Sequence, residues 1–141
     1  MTLEEYLGDW VKVIDITELS KVLIFLNKIS KLKPICPARK DIFKAFNLCK
    51  YDNCKVIFIS QDPYPQRDVA TGILFGNNAN TTENNWSPSL KIIKNSVIDL
   101  HKSHNLTTFD PTLESWAKQG ILMINSALTV EMNKAGSHTM L

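Results

Sequence analysis

Apolar residues recur at helical intervals in "DITELSKVLIFLNKISKLK", where Leu19, Val22, Leu23, Leu26 and Ile29 share one face and either Thr17 or Asp15 can cap the start. The pattern predicts an amphipathic helix. Prolines 34 and 37 then break the chain, and helical spacing resumes through Ile42, Phe43 and Phe46, predicting a short second helix. "KVIFIS" is a run of β-branched and aromatic residues without alternation, which predicts a strand buried on both faces of a parallel sheet. The next stretch, "QRDVATGILFGNNANTTENN", predicts an extended loop anchored at Ile73, Leu74 and Phe75. A third helix is predicted from Ser87 as cap and Pro88 at the first helical position, with Leu90, Ile93, Val97 and Leu100 on one face. The same grammar returns with Asp110 as cap, Pro111 behind it and Gly120 as terminator. "ILMINSALTV" is a second buried-strand candidate.

Each strand candidate delivers a polar residue at its carboxyl end, Asp62 just beyond the first and Asn125 in the second. Strands separated by helices predict an α/β fold with a parallel sheet, and such sheets bind ligands beyond the carboxyl ends of their strands. Asp62 and Asn125 are therefore candidates for one shared site. Read locally, "QDPY" has two meanings: an Asx-type turn with a tyrosine resting on the surface, or a site. The residues alone leave both open.

Composition narrows the class. The 141 residues, 44% hydrophobic and 21% charged, suit one globular domain over 1–141, without repeat or linker. The net charge of +2, from 16 basic and 14 acidic residues, is too balanced to mark a nucleic-acid binder, so such a role would need a local patch. Cys36, Cys49 and Cys54 contain no CxxC pair and read as reduced structural thiols. The acidic amino terminus and the short apolar run "VLIFL" predict an intracellular, cytoplasmic, soluble protein with no membrane association. His101 and His104 stand at i, i+3 without a further ligand to complete a metal site. Neither a G-x-S-x-G elbow nor a glycine-rich phosphate loop occurs.

Taken together, "KVIFISQDPYPQRDVATGILFG", "DIFKAF" upstream, "SPSL" at 87–90, "WAKQGILMINSALTV" at 116–130 and "AGSH" at 135–138 resemble family 1 uracil-DNA glycosylases. The resemblance implies a three-layer α/β/α fold with a central parallel sheet, cut off after its second core strand. The family's later strands and its His-Pro-Ser segment have no counterpart before Leu141, so the carboxyl-terminal part of the domain is expected to be missing. The implied activity is hydrolysis of the N-glycosidic bond of deoxyuridine in DNA, releasing uracil in base-excision repair. No metal or organic cofactor is implied.

By the same resemblance Asp62 would orient a water and support an oxocarbenium-like sugar. Gln61 would offer its backbone to uracil O2, Phe75 would stack on the flipped base, and Tyr64 would exclude the thymine methyl. Asn125 would read N3-H and O4 through one acceptor and one donor, a pattern that cytosine reverses. Ser87, Pro88 and Ser89 resemble a phosphate-gripping loop at a helix start, and Ser137 and His138 match a further DNA-contacting pair. The implied partners are uracil-containing single- or double-stranded DNA and a proteinaceous glycosylase inhibitor, and the complete domain is expected to be a monomer. Two positions depart from the pattern: Ser60 replaces a glycine, and Pro65 replaces a histidine whose donor proline lacks. Arg67 is the nearest side chain that could compensate. The Pro65 departure and the missing His-Pro-Ser segment raise an alternative, a catalytically impaired or truncated DNA- or partner-binding module on the same fold.

Overall fold

The computed structural model describes residues 2–100 and 108–139, so the histidines at 101 and 104 lie outside the described residues. The chain opens with helix α1 (Leu3–Leu7), held by a reciprocal cap in which Thr2 Oγ1 accepts from Glu5 N–H and the Glu5 carboxylate accepts from Thr2 N–H at 2.6 Å. Helix α2 (Ile16–Leu32) starts at Asp15, whose carboxylate accepts from the N–H groups of Thr17 and Glu18; Asp15, not Thr17, is the cap. Leu19, Leu23 and Leu26 pack half-buried against the core, whereas Val22 of the same predicted stripe is 58% exposed.

Strand β1 (Ile35–Cys36) and helix α3 (Lys44–Leu48) follow the proline break, and Ile42, Phe43 and Ala45 enter the core. Strand β2 (Val56–Ser60) runs parallel to β3 (Ile121–Asn125) in a register that sets Val56 opposite Ile121 and Ser60 opposite Asn125. The parallel pair and its packed helices are an α/β arrangement. Helices α3 and α5 (Glu114–Lys118) pack against β3, whose adjacent residues Leu122 and Met123 are both buried. Successive strand residues face opposite sides, so both faces of β3 are covered.

The expectation of a β2 buried on both faces is not met: Val56, Ile57, Phe58 and Ile59 are 44–64% exposed. Among the described residues β2 pairs along one edge only, with β3, and its own side chains lack equivalent cover. Its apolar sequence makes it a strand; its neighbours decide its burial.

Helix α4 (Pro88–Leu100) begins as predicted, with Ser87 Oγ accepting from Leu90 N–H, and buries Leu90, although Leu100 is 81% exposed. The start of α5 is displaced from the predicted Pro111. Residues 111–112 form a turn and Leu113 takes a left-handed conformation (φ 57°), while the Asp110 carboxylate still accepts from the N–H groups of Thr112 and Ser115. Burial pushes the Asp110 pKa up, but hydrogen bonds from Thr112 and Ser115 outweigh it and hold the carboxyl below its usual range. The predicted strand "ILMINSALTV" splits: β3 stops at Asn125, and β4 (Val130–Glu131) pairs antiparallel with β1.

All three cysteines are free thiols. Burial drives the Cys49 pKa up to about 12, and Trp10 Nε1 donates to the Cys49 carbonyl at 2.6 Å inside the core. Among the described residues, no helix is long and apolar enough to cross a membrane and no group of His, Cys, Asp or Glu is arranged to hold a metal.

Candidate active site

The parallel register places the ends of β2 and β3 side by side, and hydrogen bonds lace them beyond the strands. Ser126 N–H donates to the Ser60 carbonyl at 2.8 Å, and the Gln61 carbonyl accepts from Ala127 N–H (3.0 Å) and Ser126 Oγ (2.9 Å). The chain then bends at Gln61. The Asp62 carboxylate reaches 74 residues along the chain, where its Oδ2 accepts from Gly136 N–H at 2.6 Å. That contact bears on the two local readings of "QDPY": the chain bends at Gln61, and the Asp62 carboxylate is bonded to a distant segment.

Gly136 is held by a braced turn. The β1–β4 pair brings residues 131–139 over the end of β2, Asn133 N–H donates to the Pro65 carbonyl (2.9 Å), and Ser137 Oγ accepts from Glu131 N–H (2.8 Å). The Glu131 carboxylate also takes Lys134 (2.7 Å) and Lys33 (2.9 Å), which hold its pKa below the usual carboxylate range.

Opposite this turn, residues 71–77 form the far wall. Leu74 N–H donates to the Met123 carbonyl (3.0 Å), and Ile73 and Leu74 are buried, so the loop is pinned to β3 as its apolar island predicts. Gly72 (φ 82°) passes so near Asp41 that a Cβ would stand 1.7 Å from its carbonyl oxygen. Phe75 adopts φ 64°, a conformation costing a residue with a side chain roughly 1–3 kcal/mol.

Between these walls lies a cleft of about 220 Å³ lined by Asp62, Tyr64, Pro65, Phe75, Ser89 and Asn125, among others. Its volume is below the roughly 300–1,000 Å³ of drug-sized pockets. Leu128, Ile124 and Ala135 complete an apolar surround. Asn125 Oδ1 is sealed from solvent and has no hydrogen-bond partner among the described residues. An unsatisfied buried acceptor costs roughly 1–3 kcal/mol, and a donor brought by a ligand would remove that cost.

The remaining sequence candidates lie elsewhere. Gln61 contributes main chain at the bend after β2, and the residue is exposed and outside the cleft. Ser87 is buried, and its hydroxyl accepts from Tyr64 OH (2.7 Å) and donates to Asn77 Oδ1 (3.0 Å). Pro88 is exposed at the start of α4, beside Ser89. The Ser137 hydroxyl is engaged by Glu131, and His138 Nδ1 meets Thr129 Oγ1 at 2.9 Å in a separate apolar cleft against α2. Arg67 lines a neighbouring groove with Lys40 and Asp41 and pairs with Asp68 at 3.7 Å, so it does not stand in for the missing histidine within the cleft. Gly136, bonded to Asp62, and Asn77, bonded to Ser87, are positions tied to the candidate residues that sequence reasoning missed. The first lay inside a recognised motif, and the second carried no local signal.

No family model matches the chain. The uracil-DNA glycosylase of Campylobacter jejuni (strain RM1221) is 41% identical over 116 residues, 82% of this chain and 48% of that protein. The uracil-DNA glycosylase of Buchnera aphidicola subsp. Acyrthosiphon pisum (strain Tuc7) is 40% identical over 119 residues, 84% of this chain and 52% of that protein. The crystal structure of mimivirus uracil-DNA glycosylase superposes with a TM-score of 0.74 at 27% identity, covering 99% of this chain and 54% of that one. A variant of the mimivirus enzyme in complex with UGI gives 0.75 at 26% identity. The chain thus spans about half the length of the curated relatives it matches. Its α/β fold, the cleft at the carboxyl ends of its parallel strands and its 41% identity to such a relative agree, and the chain belongs to the uracil-DNA glycosylase family.

Proposed function

We propose that the cleft receives a uracil flipped out of DNA and that the chain supplies the water-orienting and base-reading side of a uracil-DNA glycosylase. The observation that carries this reading is the convergence of Asp62, Tyr64, Phe75 and Asn125 on one cleft, with Asn125 Oδ1 buried and unpartnered. Uracil N3-H supplies the donor that this oxygen lacks, and the amide N–H₂ faces O4; cytosine presents an acceptor at N3 and a donor at N4, and is rejected. Phe75 stacks on the base, offsetting part of the few kcal/mol needed to unstack it. Tyr64 stands against C5, where thymine carries its methyl group.

Asp62, oriented by Gly136, directs water at the anomeric carbon and faces the developing positive charge of the sugar as uracil departs as an anion. Gln61 turns its main chain toward O2, while Ser89 and the start of α4 meet a flanking phosphate, with Pro88 beside them. Ser137 acts by bracing the turn that holds Gly136, and His138 lies on a neighbouring face. Residues 1–141 belong to one domain of a soluble intracellular protein whose partners are uracil-containing DNA and a proteinaceous inhibitor, UGI being bound by a mimivirus relative.

Release of uracil from a single-stranded oligonucleotide, read as alkali-labile cleavage, tests the proposal. Asp62→Asn should lower the rate roughly 10²–10³-fold, the scale of removing one positioned electrostatic group. Pro65 favours a second reading, because a cleft wall without the histidine's donor can bind without catalysing. Salt-sensitive binding of uracil-DNA with no base release would support that second reading over the first.

A further inference from the structure

We infer that Ser87 and Asn77 are positioning residues that lock the Tyr64 ring in place and thereby set how strictly the cleft rejects a 5-methyl group. The inference rests on the proposed identity of the cleft as a uracil pocket and extends it to two residues that do not touch the base.

The Tyr64 hydroxyl donates to Ser87 Oγ at 2.7 Å, Ser87 Oγ donates to Asn77 Oδ1 at 3.0 Å, and Leu90 N–H donates to Ser87 Oγ at 3.4 Å. A hydroxyl has one proton and two lone pairs, and all three are used here, so the Ser87 hydroxyl is fixed in direction. Asn77 is 1% exposed, and its own N–H is fixed to the Pro111 carbonyl at 2.8 Å. The relay therefore anchors the tip of a cleft-lining ring to the start of α4 and, through Asn77, to the turn at residues 110–113.

A tyrosine at a cleft wall satisfies its hydroxyl with water at little cost, so a buried relay is not needed for solvation. Asn77 leaves its Nδ2 buried without a partner among the described residues while its Oδ1 serves Ser87. A polar side chain retained in a core position under that penalty is explained by what its oxygen orients. A ring held only by packing can tilt to admit a methyl group. A ring tethered at its far end cannot do so without breaking a hydrogen bond.

The test measures dissociation constants of free uracil and free thymine for the wild-type chain, Ser87→Ala, Tyr64→Phe and Ser87→Thr. Ser87→Ala also removes a helix cap; Tyr64→Phe removes the tether alone and keeps the ring. In Ser87→Ala, which leaves every cleft-lining side chain in place, uracil affinity should stay nearly unchanged, and in both variants the preference for uracil over thymine should fall about fivefold, the equivalent of the ~1 kcal/mol net worth of one hydrogen bond. Ser87→Thr, which keeps the hydroxyl, should restore it. If the wild type prefers uracil and both variants prefer it equally, the inference is overturned and the uracil pocket stands. If the wild type binds neither base, the pocket reading fails and takes the inference with it.

Discussion

Gly72→Ala tests whether the loop that carries Phe75 is held where the structure puts it. The substitution has two separable effects. A positive φ of 82° costs an alanine roughly 1–3 kcal/mol whatever its surroundings. The new Cβ would also lie 1.7 Å from the Asp41 carbonyl oxygen and 3.2 Å from Lys44 Cβ, so two backbone segments must part. The loop cannot yield freely, because Leu74 N–H is bonded to Met123 O and Asn77 N–H to Pro111 O. Losing one such bond adds about 0.5–1.5 kcal/mol. A total of ~3 kcal/mol follows, with Phe75 displaced from the cleft. Gly8→Ala is the internal control: its φ is 59°, but nothing lies within 4 Å of the added Cβ, so only the conformational cost applies. Urea unfolding followed by tryptophan fluorescence reads both variants as midpoint shifts at constant slope. Equal destabilisation by the two substitutions would refute the close approach of Gly72 to Asp41.

Asp110→Ala should cost roughly 0.5–2 kcal/mol at pH 7, the range for removing a side chain that accepts from free N–H groups at a helix start, as the Asp110 carboxylate does from Thr112 and Ser115. Because the folded pKa of Asp110 is lowered, its contribution is complete above the unfolded value of about 3.9 and disappears as pH falls through the folded value. The gap between wild type and variant in a pH series of urea melts should therefore close in acid. On the sheet, Leu122→Ala should cost about 2–5 kcal/mol, whereas Ile59→Thr should change unfolding free energy little, as its 64% exposure requires. Ile59→Thr should also lower self-association in light scattering, since it interrupts an exposed apolar strand edge. Thiol titration at pH 8 should label half-exposed Cys54 first and reach Cys49 only on unfolding, because burial keeps the Cys49 thiol protonated, with a pKa of about 12.

Features governed by neighbours in sequence were legible. Ser87 capping α4, Asp15 capping α2 and Gly120 after α5 are local chemistry, and the structure contains all three. The convergence of Asp62 and Asn125 was legible too, because parallel strands end on the same side. Burial of β2 was not, since an apolar run states what a strand can bury and its surroundings state what it does. The β1–β4 pair escaped notice because two-residue strands have no periodicity. Helix α1 was within reach through the Thr2 and Glu5 capping box, although five residues are too few to show a stripe. The left-handed turn of Phe75 and the Asp62–Gly136 bond depend on segments far apart in the chain. Ser87 shows the limit most clearly: its position at a helix start suggested phosphate, and its hydroxyl is instead bonded to Tyr64 and Asn77.

The central claim is that Asn125 reads uracil inside the Asp62 cleft. Titrating uracil and cytosine into the chain while following the Asn125 side-chain amide by NMR tests it most directly. Saturable uracil binding that moves this amide is expected, with cytosine at least about tenfold weaker, a difference of ~1.4 kcal/mol, and no uracil binding by a folded Asn125→Leu variant. Equal binding of the two bases, or uracil binding untouched by Asn125→Leu, would contradict it.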